Sequence, residues 1–304
     1  MRVLVVTTLV LALAACSSTA PICRLGEGTV PRGSSIDSVE FAVMQRLLLA
    51  HDAEGAPQPE MACNGWSTRF ATVAGDCAET EPLGERLPYV APSSDDLVLA
   101  PADGDYWIAY LPVHRFGGGA TEGPVAIVRI FEDTLEVRAI GVLRTHATRL
   151  NLTLELVGEH TVLVADGEAC GEDRSSCTRA TRLLLLVGRR FEPAHIENEQ
   201  GACVGPAVFE RSDSRVVRMG PRAEQTFRRS LGIDVVNGAV EIAEQIVVEE
   251  TDPSDPSRPG RVVRRAESLV SLSVDAEHKR FVAAGQSRWT TMLRDAEAQA
   301  NGTP

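Results

Sequence analysis

The sequence predicts a mainly β fold built from antiparallel meanders, with short α-helices near both ends of the chain once its first residues are set aside. Three observations carry the prediction. From Asp96 onward, apolar runs of strand length recur between clusters of turn residues. Several of these runs alternate apolar and polar side chains with a period of two. Asn237-Gly238 then falls between two alternating runs, and this pair favours a two-residue hairpin turn because both residues tolerate positive φ.

Taken in order, residues 35–50 read as a helix: Ser35 or Asp37 can cap it, and Val39, Val43 and Leu47 with Met44 and Leu48 repeat at helical spacing. Residues 54–95 are rich in Gly, Pro and polar side chains, which predicts an irregular region held by its cysteines. Strands are expected over 97–100, 105–112, 125–131, 135–143, 150–156, 161–165 and 179–187. The runs 125–131 and 179–187 are apolar on both faces and should be central. Residues 99–110 align with 153–164 at an offset of 54, each as strand, tight turn at Gly104 or Gly158, and strand. This period resembles a blade of a β-propeller, so the meanders are expected to form either a sandwich or a propeller-like array.

After Cys203 the strands lengthen. Phe227, Leu231, Ile233 and Val235 share one face before the Asn237-Gly238 turn, and Val240, Ile242, Ile246 and Val248 share one face after it, with Glu241, Gln245 and Glu249 opposite. The Pro- and Asp-rich stretch 251–260 predicts a loop tip. Ser268, Val270, Leu272 and Val274 alternate again, 279–287 adds a strand, and Trp289, Met292, Leu293 and Ala296 predict a closing helix.

At the N-terminus, Arg2 precedes apolar stretches at 3–6 and 9–15, the layout of a secretory signal. This segment is shorter than the ~20 residues a membrane-spanning helix needs. It ends in Leu13-Ala14-Ala15-Cys16, which resembles the lipobox of bacterial lipoproteins. The resemblance implies a diacylglyceryl thioether on Cys16, cleavage before it, and acylation of the new amine. Multiple chains make a stable anchor where one holds only marginally. Ser17 after the lipid cysteine resembles the outer-membrane members of that class. The expected organisation is a signal over 1–15, an anchor and tether over 16–34, a helix and stapled region over 35–95, and a β domain over 96–304, with a possible sub-boundary near 206. The expected location is the cell envelope, on the outer membrane, with the membrane as partner through the lipid on Cys16.

The whole chain carries 30 basic and 42 acidic side chains, net −12. Removing the signal deletes only Arg2, which leaves net −13, almost all of it before Ala207. Nucleic acid is not an expected partner, because phosphate binding requires clustered cations. Six cysteines remain beyond Cys16: Cys23, Cys63, Cys77, Cys170, Cys177 and Cys203. An even set in an exported chain reads as disulfides. Cys170 and Cys177 flank a polar turn and are expected to pair; Cys63 with Cys77 is the next shortest loop, which leaves Cys23 with Cys203. Zinc is not expected, since no Cys-x-x-Cys pair and no histidine stands at ligand spacing.

Motifs for chemistry are sparse. No Gly-x-Ser-x-Gly, His-Glu-x-x-His or Gly-x-x-x-x-Gly-Lys is present. His114-Arg115-Phe116-Gly117-Gly118-Gly119 reads as a flexible connection, and Asp166, Glu168, Glu172 and Asp173 as a solvated turn rather than a calcium loop. The six histidines are scattered and the three tryptophans should be core. No residue is expected to be catalytic and no cofactor or metal is expected. The leading expectation is a non-enzymatic binding or assembly module with an envelope protein as partner. The alternatives are a small-ligand or carbohydrate binder and a hydrolase with a carboxylate pair dispersed in sequence.

Overall fold

The computed structural model describes residues 20–71, 77, 84–146, 148–170, 177–220, 223–255 and 259–301. The lipobox and Cys16 therefore lie outside the described residues, as do Glu172, Asp173 and part of the 251–260 loop. The protein is mainly β. The chain begins with β1 (Cys23–Leu25), α1 (Phe41–Leu48) and a hairpin of β2 (Leu49–His51) and β3 (Pro57–Ala62). A meander follows: β4 (Val98–Pro101), β5 (Tyr106–Tyr110), β6 (His114–Arg115), β7 (Ala120–Phe131), β8 (Thr134–His146), β9 (Arg149–Val157), β10 (His160–Cys170), β11 (Cys177–Val187) and β12 (Arg190–Pro193). The remainder is β13 (His195–Asn198), β14 (Cys203–Pro206), β15 (Val208–Glu210), β16 (Ser212–Gly220), β17 (Ala223–Val236), β18 (Ala239–Thr251), β19 (Arg261–Asp275), β20 (Arg280–Ala284) and α2 (Trp289–Ala300).

The first sheet runs in the order β4-β5-β7-β8-β12-β11-β10-β9, and it curls until β4 lies beside β9. The two halves of the 54-residue repeat are thus hairpins at opposite ends of one curled sheet rather than separate propeller blades. Curling explains the runs that are apolar on both faces. In β7, Val125 and Ile127 point into the near-barrel, while Ala126 and Val128 face outward into a core with α1. In β11, Leu184 points inward, and Leu183 and Leu185 face the second sheet. Where β12 joins β8 in parallel, Gly141 lies opposite Phe191, and a Cβ there would come within 2.4 Å of the Phe191 carbonyl oxygen.

The predicted helix over 35–50 is shorter, with a 3-10 turn at Ile36–Ser38 before α1, because Glu40 adopts extended backbone between them. The second sheet, β14-β13-β20-β19-β18-β17-β16, follows the predicted alternation. Asn237 and Gly238 both take positive φ at the β17–β18 turn. The chain changes sheets around Pro206: β14 belongs to the second, and β15 pairs back onto β11 of the first. Among the described residues, no helix is long and apolar enough to cross a membrane.

Three disulfides use all six cysteines, but two pairings differ from the loop-length expectation. Cys170 bonds Cys177, directly opposite across β10 and β11. Cys63 bonds Cys23 rather than Cys77, and Cys77 bonds Cys203 rather than leaving Cys203 to Cys23. Closing the longer Cys77–Cys203 loop instead of Cys63–Cys77 costs only about 2 kcal/mol of extra entropy. Tertiary placement outweighs that: β1 pairs with β8 beneath α1, which brings Cys23 to the end of the β2–β3 hairpin.

Candidate functional site

Two covers lie on one face of the second sheet. Val240, Ile242, Leu272 and Phe281 pack against the near-barrel through Val162, Leu183 and Leu185. At the far end Phe227, Ile246 and Val248 pack beneath Trp289, Met292 and Ala296 of α2. Between the covers lies a pocket of about 490 Å³. Ile196, Val208, Phe209, Ile242, Val270 and Leu272 make its walls apolar, and β14 forms its rim, where Val204 is 62% exposed.

Three polar residues interrupt the apolar face here. Arg229, Glu244 and Ser268 stand on adjacent strands, where period-two alternation places core side chains; Leu231 pairs with Glu244, and Glu244 with Ser268. Glu244 is 3% exposed. It accepts hydrogen bonds from the Ser268 hydroxyl at 2.6 Å, the Ser287 hydroxyl at 2.7 Å and the Arg288 N–H at 2.8 Å. Two of these donors belong to the segment linking β20 to α2. Gly285 lets that segment cross β19: its φ is +95°, and a Cβ would come within 2.7 Å of the Leu269 carbonyl oxygen. Arg229 lies over the Trp289 ring, 5.2 Å from its centroid. Cys77–Cys203 fixes the start of the β14 rim.

No family model, no curated protein and no solved structure matches the chain.

The pocket contains none of the residues that sequence reasoning singled out as chemical candidates. Its signal was nevertheless present, as breaks in alternation at Arg229 and Glu244. Of the acidic group named from sequence, the two described members, Asp166 and Glu168, are spent on ion pairs. Asp166 is bound by Arg179, with Thr181 at 3.2 Å and Arg211 at 3.5 Å, and Glu168 lies 3.7 Å from Arg149. Glu168 also stands near Cys170 and Cys177, whose sulfurs are committed to their disulfide.

A second polar cluster closes one end of the near-barrel. His114 and Arg115 form β6 on β7 instead of a loose connection, and His114 is 3% exposed. Arg86 donates to its Nδ1 at 2.6 Å, and its Nε2 lies 3.1 Å from Thr68 Oγ1. Because the Thr68 hydroxyl donates to the Pro59 carbonyl, it accepts from the imidazole, which fixes the neutral Nε2–H tautomer. Burial, then the Arg86 charge, holds His114 below its ordinary 6.5. Glu60 is pulled down to about 2 by its hydrogen bond from Arg69, with Arg86 adding to this against the opposing effect of burial. Deeper in, Arg144 Nε donates to Glu122 at 2.6 Å, the Phe70 N–H donates to the other carboxylate oxygen at 3.3 Å, and Arg144 and Arg182 stack on the Phe70 ring. Trp66, expected in the core, is 40% exposed beneath the Arg190 guanidinium. This cluster is saturated with internal partners and reads as a lock rather than a binding site.

The lock makes a pH prediction. The unfolded chain binds a proton on His114 below about 6.5 while the folded chain resists it, so stability falls as pH drops through that value. The slope from one such group is at most about 1.4 kcal/mol per pH unit. Denaturant melts at pH 7.5 and 5.5 should show a smaller acid loss in His114→Gln than in the wild type. Equal losses would mean that His114 does not contribute.

Proposed function

We propose that this chain is a lipid-anchored cell-envelope protein that binds a small ligand non-covalently in the pocket of its second sheet. The carrying observation is the pocket: an apolar cavity with a few converging polar side chains is the usual form of a small-molecule site. A volume of about 490 Å³ falls in the range of such sites. Glu244 is the one carboxylate among the described residues that line it, and glycoside hydrolysis uses two. The anchor rests on Leu13-Ala14-Ala15-Cys16, and a Cys16→Ala variant should lose metabolic labelling by radioactive fatty acid.

The ligand site is tested with Val270→Trp, which places an indole in the cavity. Wild type should bind an uncharged apolar dye such as Nile red saturably at one site, and V270W should lose that binding while melting cooperatively. Unchanged dye binding in the variant would remove the pocket from consideration. Leu87, Tyr89 and Val90, between 45% and 65% exposed in one short stretch, support a second reading in which the protein also docks an envelope partner. Crosslinking in the native envelope, with Tyr89→Glu as the control, tests that reading.

A further inference from the structure

We propose that the ligand has an apolar body and a single anionic head group, a carboxylate or a phosphate, and that Arg229 binds the head. The inference rests on the pocket being a ligand site and adds the chemical class of the occupant. It follows from the hydrogen-bonding state of the two charged residues in the cavity. A carboxylate offers about four acceptor positions, and Glu244 already receives three donors. A guanidinium carries five donor hydrogens in a planar fork. Among the described residues, the Nε of Arg229 is buried without any acceptor, and the one carboxylate within 4 Å of its guanidinium is Asp213 at 3.9 Å, beyond hydrogen-bond reach. Asp213 also lies 3.6 Å from Arg215, so its charge is shared.

The unmet demand in the pocket is therefore for an acceptor, and a carboxylate or phosphate matches the fork geometry of Arg229. Stacking on Trp289 holds the guanidinium in place before a ligand arrives. Glu244 stands diagonally across from Arg229, since Arg229 pairs with Ile246 and Leu231 with Glu244. Its charge disfavours a second negative group beside the first, which is why the head is single. The apolar walls formed by Val208, Phe209, Val270 and Leu272 receive the body.

The test uses residues 17–304, which contain every strand and helix among the described residues, produced with their disulfides and kept free of detergent. Decanoate, decyl phosphate, decylamine and decanol are titrated by calorimetry at pH 8. The anions should bind ~10-fold or more tighter than decanol, because a charge-assisted bidentate contact is added to the same apolar burial. The tighter of the two anions identifies the head as carboxylate or phosphate. Arg229→Gln should lower anion affinity by ~10-fold or more while changing decanol by less than about 2-fold. Arg229→Lys, which keeps the charge without the fork, should retain part of the preference and guards against misreading a folding defect. Decylamine binding tighter than both anions would overturn the proposal in favour of a cation on Glu244. R229Q weakening all four ligands equally would also overturn it, by making Arg229 a wall residue only. Failure of all four to bind the wild type would sink the ligand-site reading itself, and this proposal with it.

Discussion

Replacing Arg144 by methionine should lower unfolding free energy by about 3–5 kcal/mol, the usual consequence of leaving one half of a buried ion pair behind. Glu122 and Arg144 are about 5% and 10% exposed in their side chains, and Arg144 also stacks on Phe70 within the closed end of the near-barrel. The stranded Glu122 would keep only the Phe70 N–H among the partners named above. A double variant, Glu122→Leu with Arg144→Met, removes both charges and should recover much of the loss, because well-packed apolar residues often replace a buried pair without penalty. Urea melts of the wild type, both single variants and the double variant provide the cycle. A double variant as unstable as the sum of the singles would mean that the pair is not coupled as its geometry implies.

The second large effect concerns Cys77–Cys203. Its ends are 126 residues apart in sequence, against 7 for Cys170–Cys177. Loop-closure entropy makes the long bridge worth about 4–5 kcal/mol and the short one about 2–3. The Cys77→Ser, Cys203→Ser variant should therefore show the larger drop in urea midpoint. The effect should also be local, because Cys203 opens β14 at the pocket rim. Hydrogen exchange should rise in β13 and β14 before it rises in β7 or β8. An equal loss from both cysteine pairs, or uniform exchange, would detach the bridge from the pocket.

Much of the fold was legible because β structure writes itself as period two. The alternations in β17, β18 and β19 and the Asn237-Gly238 turn fix three neighbouring strands and their register. The doubly apolar runs in β7 and β11 marked strands with both faces covered. The curl was not legible: the same hairpins serve a propeller, a sandwich or a near-barrel, and the choice depends on contacts such as β4 beside β9 that are remote in sequence. Cys170–Cys177 was legible as the shortest loop, but the other two pairings were missed for the same reason, since short loops are cheap but only the folded sheets decide which sulfurs meet. His114 was read as part of a connection because Gly117-Gly118-Gly119 follows it, whereas its partners Thr68 and Arg86 come from the irregular region. The pocket left the clearest trace. Glu244 occupies an apolar position between Ile242 and Ile246, and Arg229 one between Phe227 and Leu231. A charge at a core position of a strand is costly unless it is paired and hydrogen-bonded. Motif searches pass over such single breaks, and only the sheet shows that they are neighbours.

Native mass spectrometry of the wild type and V270W, each purified gently and without added ligand from the cells that express it, tests the central claim most directly. The account predicts a small-molecule mass excess on the wild type that V270W lacks. Identical masses for the two proteins, after allowing for the substitution, would contradict it, whether both carry the excess or neither does.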